Sequence, residues 1–490
     1  MSPPAILHVT SLFGGGVDRH LRDILAGVPR PHLVWHAGAA GEAIEEPAGA
    51  RFHALAAGAF SESRARLAAY LASHRVGLVH LHALVDAPRE RAEWAARELG
   101  VPLVVTLHDV LFLDAGAFGR ADPLAGDEGW LAKTSPLLRS AARVVAPSQW
   151  LATLAQERIP GLAVEVVPNG APARVRESIA PREAFAAAKP GRVVALLGAI
   201  GPHKGADLVD DLAALLAPHG IALVVVGYLD RQLFPGWRVP ASLFVHGAFE
   251  EGRAPGLLRG YGASLVLLPH AMPESFSYAL SDAWAAGIPV LAASGGAIAE
   301  RIRSHGGGWL VPDPADAESI TREIVSLVGG DRDADRARVQ SELDEPDEAR
   351  VPTVLAMTRS LEALYARYGI DPAAKADTDP RALEALVAKS LDGNLFRAEL
   401  ARLCDEMAQT LAALEATKER AAAFESEARG WIAKLEADVA AVQADLRAAN
   451  EARDGLAKEA DILRLNKEAL GRLPSPIRRL LLKLAFDARR

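Results

Sequence analysis

Short β-branched or leucine-rich runs alternate with helical patterns along this chain, then do so again, and that double alternation leaves few folds open. ILHVT, HLVWH, LVHLH, PLVVTLH, RVVAPS and VEVVPNG fall between residue 5 and about 170. After a stretch at 171–190 containing Pro181 and Pro190, the arrangement restarts with RVVALLGAI, IALVVVG, LFVHG, SLVLLP and IPVLAAS. Strands this apolar, separated by helix-length segments, form parallel sheets joined by crossover helices. Two doubly wound α/β domains are expected, over 1–175 and 190–330.

The rest of the chain changes character. Between Asp331 and Arg350 there are eight acids and four bases with little apolar content, which reads as an exposed link. Residues 353–370 resume a helical pattern that closes the globular part. Between Pro380 and Pro474 there is no proline, and Ala, Glu, Leu, Arg and Lys dominate. Leu400, Leu403, Met407, Leu411 and Leu414, then Phe424, Ala428, Trp431, Leu435, Val439, Val442 and Leu446, recur every three or four residues, so 381–472 reads as a helical stalk. At about 1.5 Å per residue, ~90 such residues would span on the order of 135 Å. The seam suits a coiled coil, hence a homo-oligomer, or a helix docked on the globular body. In the tail, 474–490, Ile477, Leu480, Leu481 and Leu484 share a helical face flanked by Arg478, Arg479 and Lys483. That tail suits an anionic membrane surface, or a packing site on the protein itself.

Composition excludes several classes. With 54 Lys+Arg against 62 Asp+Glu, the net charge of −8 argues against a general nucleic-acid binder. Cys404 is the single cysteine, so an internal disulfide, a thiolate zinc site and a CxxC centre are all excluded. No basic n-region precedes the first apolar run, and no uninterrupted apolar stretch is long enough to span a bilayer. A cytoplasmic chain, peripheral on the inner face of the cell membrane, is the expectation.

Three stretches carry candidate chemistry. Gly14-Gly15-Gly16 follows the first strand and opens the helical VDRHLRDIL, so its backbone permits close approach of a ligand to free helix amides. The pattern is not GxGxxG. Gly198-Ala199-Ile200-Gly201-Pro202-His203-Lys204-Gly205 joins a buried strand to a helix expected near Ala206, and its lysine can neutralise a diphosphate. It is not a Walker loop, because no hydroxyl follows the lysine to hold magnesium. The third stretch, Pro269 to Val290, places Glu274 at a strand-to-helix loop and Asp282 two helical turns on, where each can accept hydrogen bonds from a polyol.

This third stretch resembles the E-x7-E motif of retaining GT-B glycosyltransferases of glycosyltransferase family 4, with its preceding proline and following Ala-x-Gly-x-Pro-Val segment. The 198–205 loop is similar to the family's diphosphate loop, and Ser294-Gly295-Gly296 to its glycine turn; Leu107-His108-Asp109, Ala146-Pro147-Ser148 and Val167-Pro168-Asn169-Gly170 are weaker cues. The resemblance covers about residues 5–370. It implies two Rossmann-like domains facing across a cleft, a nucleotide-diphosphate sugar as co-substrate with no cofactor or metal, and a glycan or lipid-linked acceptor. It further implies that Lys204 holds the diphosphate and Glu274 the sugar hydroxyls. Amides of Ser275 and Phe276 then touch phosphate or sugar, Asp282 holds the ribose, Gly15 and Gly16 face the phosphates, and His108 lies near the sugar. His80 and His82 rival His108. Two departures stand out: Ala199 replaces the usual arginine, with His203 or another basic side chain left to compensate, and Asp282 replaces a glutamate. A sugar-nucleotide epimerase of the same fold and a non-catalytic scaffold acting through the stalk are the alternatives.

Overall fold

The structure, a computed structural model, describes residues 4–369 except 12–14, 39–40, 50, 57, 86, 118–121, 172, 189–190, 234–238, 251, 312–315, 346 and 348. It also describes 387–392 and, with single-residue gaps, 429–487.

In the N-terminal domain β1 (Ala5–Thr10), β2 (His32–Gly38), β3 (Gly41–Glu46), β4 (Arg51–Leu55), β5 (Val76–Leu81), β6 (Leu103–Thr106), β7 (Arg143–Ala146) and β8 (Val164–Val166) belong to one sheet. From β2 through β1, β5, β6 and β7 to β8 every pairing is parallel. The second domain holds β9 (Arg192–Ile200), β10 (Ile221–Leu229), β11 (Leu243–Val245), β12 (Leu265–Leu268), β13 (Val290–Ala293) and β14 (Gly308–Val311), ordered β11-β10-β9-β12-β13-β14 and all parallel. All four residues of β12 and of β13 are buried, as the continuous apolar runs require of strands covered on both faces. In each sheet the chain order reverses beside the first strand, at β1 and at β9. Open α/β sheets bind ligands beyond the carboxyl ends of the strands at such reversals, and both glycine-rich loops lie there.

Four features depart from the sequence reading. The hairpin β3–β4 adds antiparallel pairings to the N-terminal sheet. Asp333–Asp344 is a helix rather than an open link, because Val339 and Leu343, four residues apart, form a buried stripe beneath its charges. Val387–Asp392, inside the expected stalk, is a strand, β15, that pairs antiparallel with β4. An edge strand leaves a row of backbone groups unpaired, and β15 supplies their partners. Finally, the helix after the 198–205 loop begins at Val209, not Ala206, since two short 3₁₀ turns intervene around Gly205.

The Val354–Ala366 helix, capped by the Thr353 hydroxyl, buries Met357, Leu361, Leu364 and Tyr365 against Ile6, Ile24 and Leu78 of the N-terminal domain. The chain therefore returns to its first domain after completing its second.

The segment from Ala413 to Arg490 forms a separate unit. Its described residues are helical over 429–472, where Trp431, Leu435, Val439, Val442 and Leu446 are exposed. The upstream part of the seam, Leu400 to Ala428, lies outside the described residues. A second helix, Ser475–Asp487, exposes Ile477, Leu480 and Leu481. No helix among the described residues is long and apolar enough to cross a membrane.

Candidate active site

A cavity of about 450 Å³ between the two Rossmann-like domains is lined by Gly15, Gly16, His108, Lys204, Glu274, Ser275, Phe276 and Asp282, every residue that the sequence nominated for the site. A wider hollow of about 520 Å³, bordered by Arg182, His246, Glu250 and Arg253, contains none of them. His80 and His82 are buried beneath the cavity and do not line it.

Lys204 is delivered by the turn after β9. Gly205 has φ +84, and a Cβ there would meet the Pro269 carbonyl oxygen at 2.6 Å, so only glycine lets this turn lie against the strand-to-helix loop at Pro269. The Lys204 Nζ then stands 3.4 Å from Glu274 Oε1, with His270 Nδ1 at 3.3 Å from the same oxygen. Burial works against the Glu274 charge, but Lys204, a hydrogen bond from Ser277 and, once it is protonated, His270 outweigh it and hold the carboxyl down at about 2. Burial keeps His270 neutral, pushed down to about 4. A permanent anion and a cation thus share the cavity wall.

The loop carrying Glu274 is braced from behind. Gly296, with φ +70, leaves no room for a Cβ, which would sit 2.9 Å from the Glu274 backbone, and the Ala297 N–H donates to the Glu274 carbonyl at 2.9 Å. Ser277 holds a left-handed φ of +72, a strained conformation that persists only where the surroundings impose it. Arg301 imposes it. Its guanidinium donates to the Phe276 and Ser277 carbonyls, the Ser281 hydroxyl and the Arg350 carbonyl, and lies 4.2 Å over the Phe276 ring. Arg301→Met leaves those four acceptors without that donor in a buried place. At ~1–3 kcal/mol for each unsatisfied group, partly offset by the desolvation cost no longer incurred, the expected net loss is about 3 kcal/mol. A urea titration of the folded chain measures it, and a midpoint equal to wild type would show that the loop does not depend on Arg301.

Asp282 sits in the Tyr278–Ala285 helix, 6% exposed, and Arg19 of the opposing domain grips it through two nitrogens at 3.1 and 3.3 Å. The same guanidinium stacks 4.2 Å over Tyr278. Burial raises the Asp282 pKa and the Arg19 charge opposes that rise. Arg19 lines the cavity and was not among the sequence candidates. Ala199, the position without its arginine, lines it too. The cleft is also bridged where the Ser275 hydroxyl donates to the His108 carbonyl, and where the Glu300 carboxylate accepts from the Gln149 and Trp150 N–H groups at the start of the Gln149–Arg158 helix. Asp109, next to His108 and also on the cavity wall, is pushed up to about 6 by burial despite accepting a bond from the Leu111 N–H.

Residues 14–174 match the family described as Glycosyltransferase Family 4, and residues 178–342 match Glycosyl transferases group 1. A lipopolysaccharide 1,2-N-acetylglucosaminetransferase of Salmonella typhimurium is 30% identical over 201 residues, 37% of this chain and 52% of the relative. A GDP-mannose-dependent alpha-mannosyltransferase of Mycolicibacterium smegmatis is 29% identical over 212 residues, 41% of this chain and 52% of the relative. The chain thus spans about half the length of the curated relatives it matches. Among solved folds, Anabaena HepE in complex with UDP-glucose superposes with a TM-score of 0.55 at 18% identity, over 74% of this chain and 100% of that one. Sucrose-phosphate synthase of Thermosynechococcus elongatus gives 0.54 at 17% identity, over 74% and 98%. Two consecutive family matches spanning both Rossmann-like domains, on a fold shared with solved GT-B structures, make the chain similar to GT-B glycosyltransferases of glycosyltransferase family 4.

Proposed function

We propose that the chain transfers a sugar from a nucleotide-diphosphate donor to a glycan or lipid-linked acceptor with retention of anomeric configuration and without a metal, in the assembly of a bacterial surface polysaccharide. The observation that carries this reading is the single cleft that unites Lys204, the Glu274 loop and the glycine-opened helix of the other domain. Departure of a nucleoside diphosphate builds negative charge, which Lys204 and the free amides of the Gly15–Gly27 helix oppose. Glu274, ionised and held in place, accepts hydrogen bonds from sugar hydroxyls while the anomeric carbon gains positive character. Asp282 holds the ribose, so donor entry shares or displaces the Arg19 contact. The named relatives include one N-acetylglucosaminyl and one GDP-mannose enzyme, so the donor base has to be screened.

Incubating the full chain with UDP-, GDP- and ADP-sugars and a panel of glycan and lipid-linked acceptors, with and without EDTA, tests the reading. The expected result is acceptor-dependent release of one nucleoside diphosphate, unaffected by EDTA, with an anomeric proton signal of unchanged configuration. A converted free sugar nucleotide without transfer would favour an epimerase. Tight binding of a nucleoside diphosphate with no product from any pair would favour a scaffold.

The same reading places the chain on the cytoplasmic face of the membrane, with helices 429–472 pairing with a second copy through their exposed apolar residues. For the tail, deleting 474–490 is expected to release the protein from anionic liposomes while sparing activity on a soluble acceptor. Arg478, Arg479 and Lys483 each contribute about 1 kcal/mol of attraction near such a surface, fading with salt. Equal co-sedimentation of full-length and truncated chains at low salt would remove the membrane role.

A further inference from the structure

Behind His108 a row of histidines crosses the N-terminal sheet, contributed by β1, β2 and the residue that follows β5. His32 Nε2 lies 3.0 Å from the Val28 carbonyl oxygen, His32 Nδ1 lies 3.0 Å from His8 Nε2, and His8 Nδ1 lies 3.0 Å from His82 Nε2. His82 Nδ1 in turn meets His108 Nε2 at 3.2 Å. His8, His32 and His82 are at most 8% exposed, and burial pushes His8, His82 and His108 well below the ordinary histidine value and lowers His32 as well. Four neutral rings therefore stand in line, each with one N–H and one bare nitrogen.

A carbonyl oxygen only accepts, so His32 must carry its proton on Nε2. Its bare Nδ1 then accepts from His8 Nε2–H, the bare His8 Nδ1 accepts from His82 Nε2–H, and the bare His82 Nδ1 accepts from His108 Nε2–H. Reversing any link turns two lone pairs or two protons toward each other in a buried place, at a cost of about 1–3 kcal/mol. The row starts at a backbone carbonyl, which neither supplies nor takes a proton, so it orients the rings and does not conduct protons. The group His8, His80 and His82, whose ring nitrogens approach within 4.8 Å of one another, is not a metal nest, because all six are already hydrogen-bonded, those of His80 to the Tyr365 and Thr106 hydroxyls at 2.7 Å. A second group, His20, His82 and His108, comes as close, and there both His82 nitrogens are committed to the row.

We infer that His8, His32 and His82 are positioning residues that lock His108 as its Nε2–H tautomer, leaving Nδ1 in the cleft as a neutral acceptor that takes a substrate hydroxyl and refuses phosphate. His108 lines the cavity, and its one side-chain hydrogen bond among the described residues is the Nε2 contact to His82. The inference rests on the proposed transferase reading for what enters the cleft, and on the histidine row alone for the tautomer.

Full-length protein labelled with ¹⁵N-histidine, read by two-bond ¹H–¹⁵N correlation at pH 7.5 without donor, tests it, with His108→Asn assigning the signal. The expected pattern has a lone-pair Nδ1 and a protonated Nε2 in one species, unchanged by EDTA and unchanged down to pH 6. His32→Leu should shift His108 to a mixture of both tautomers, and His32→Gln, whose carboxamide keeps one acceptor and one donor, should restore the single species. A protonated Nδ1, an imidazolium at pH 7.5, a spectrum altered by EDTA, or a folded His32→Leu with an unchanged His108 signal would overturn the lock. If His32→Leu fails to fold, the wild-type spectrum still decides the tautomer. Because the spectrum needs no turnover, failure of the transfer assay and failure of this inference are separate results.

Discussion

Glu274→Gln and Lys204→Ala are each expected to slow glycosyl transfer by about 10²–10³-fold while the chain stays folded, the usual cost of one preorganised electrostatic contact aimed at developing charge. The two side chains lie 3.4 Å apart and are each about a quarter exposed, toward the cavity rather than the core, so neither substitution opens a void. Their losses should not add. Removing Lys204 also removes a charge that offsets burial at Glu274, so the carboxyl left behind protonates more readily and the single variant already damages both roles. The double variant should therefore fall well short of the product of the single effects. Rates of nucleoside diphosphate release, read beside circular-dichroism melts, decide the matter. Near-normal turnover in either single variant would remove the donor-site assignment.

The donor-side wall was legible because its parts are contiguous. Glu274, Ser275, Phe276 and Asp282 occupy nine residues, and Lys204 sits against a glycine whose turn the sequence displays. Arg19 was not legible. In VDRHLRDIL it looks like any arginine on the polar face of an amphipathic helix, and only the tertiary fold carries it 263 positions along the chain to Asp282. The same holds for the histidines. The spacing of His80, on β5, and His82, just past its end, puts both on one side of the chain, but the partner that gives it meaning is His8, set opposite His80 by the parallel register of β1 and β5. Register between strands some seventy residues apart leaves no local trace in composition. Asp333–Asp344 was missed for another reason: a net acidic run reads as solvated, and two buried side chains, Val339 and Leu343, suffice to fold it as a helix.

That buried imidazole row also makes the fold acid-labile well above the carboxylate range. His8, His20, His80, His82, His108 and His270 are all lowered chiefly by burial, His20 and His270 to about 4. Between those values and the unfolded value near 6.5 the unfolded chain binds more protons than the folded one, so stability rises with pH across this window and is lost as pH falls. For a group lowered to about 4, going from pH 7 to pH 5 costs about 2 kcal/mol, and His8, His80, His82 and His108 act in the same direction. Asp109, raised to about 6, returns about 1 kcal/mol over the same interval; Asp282, also raised, and His74, raised in contact with Glu46, act in the same direction. His32, His203 and His246 are lowered by burial as well, so nine lowered histidines stand against three raised groups and the balance is a net loss of stability on acidification. The N-terminal domain, which carries six of the nine, should therefore melt first on acidification. Differential scanning calorimetry from pH 7.5 to 4.5 should show one transition moving down by tens of degrees while the other lags. His20→Asn, which removes a buried imidazole whose ring lies 4.8 Å from that of His108, should shift the acid midpoint downward. A melting profile flat to pH 4.5 would mean that these rings are hydrated and charged, and would remove the basis for the neutral row.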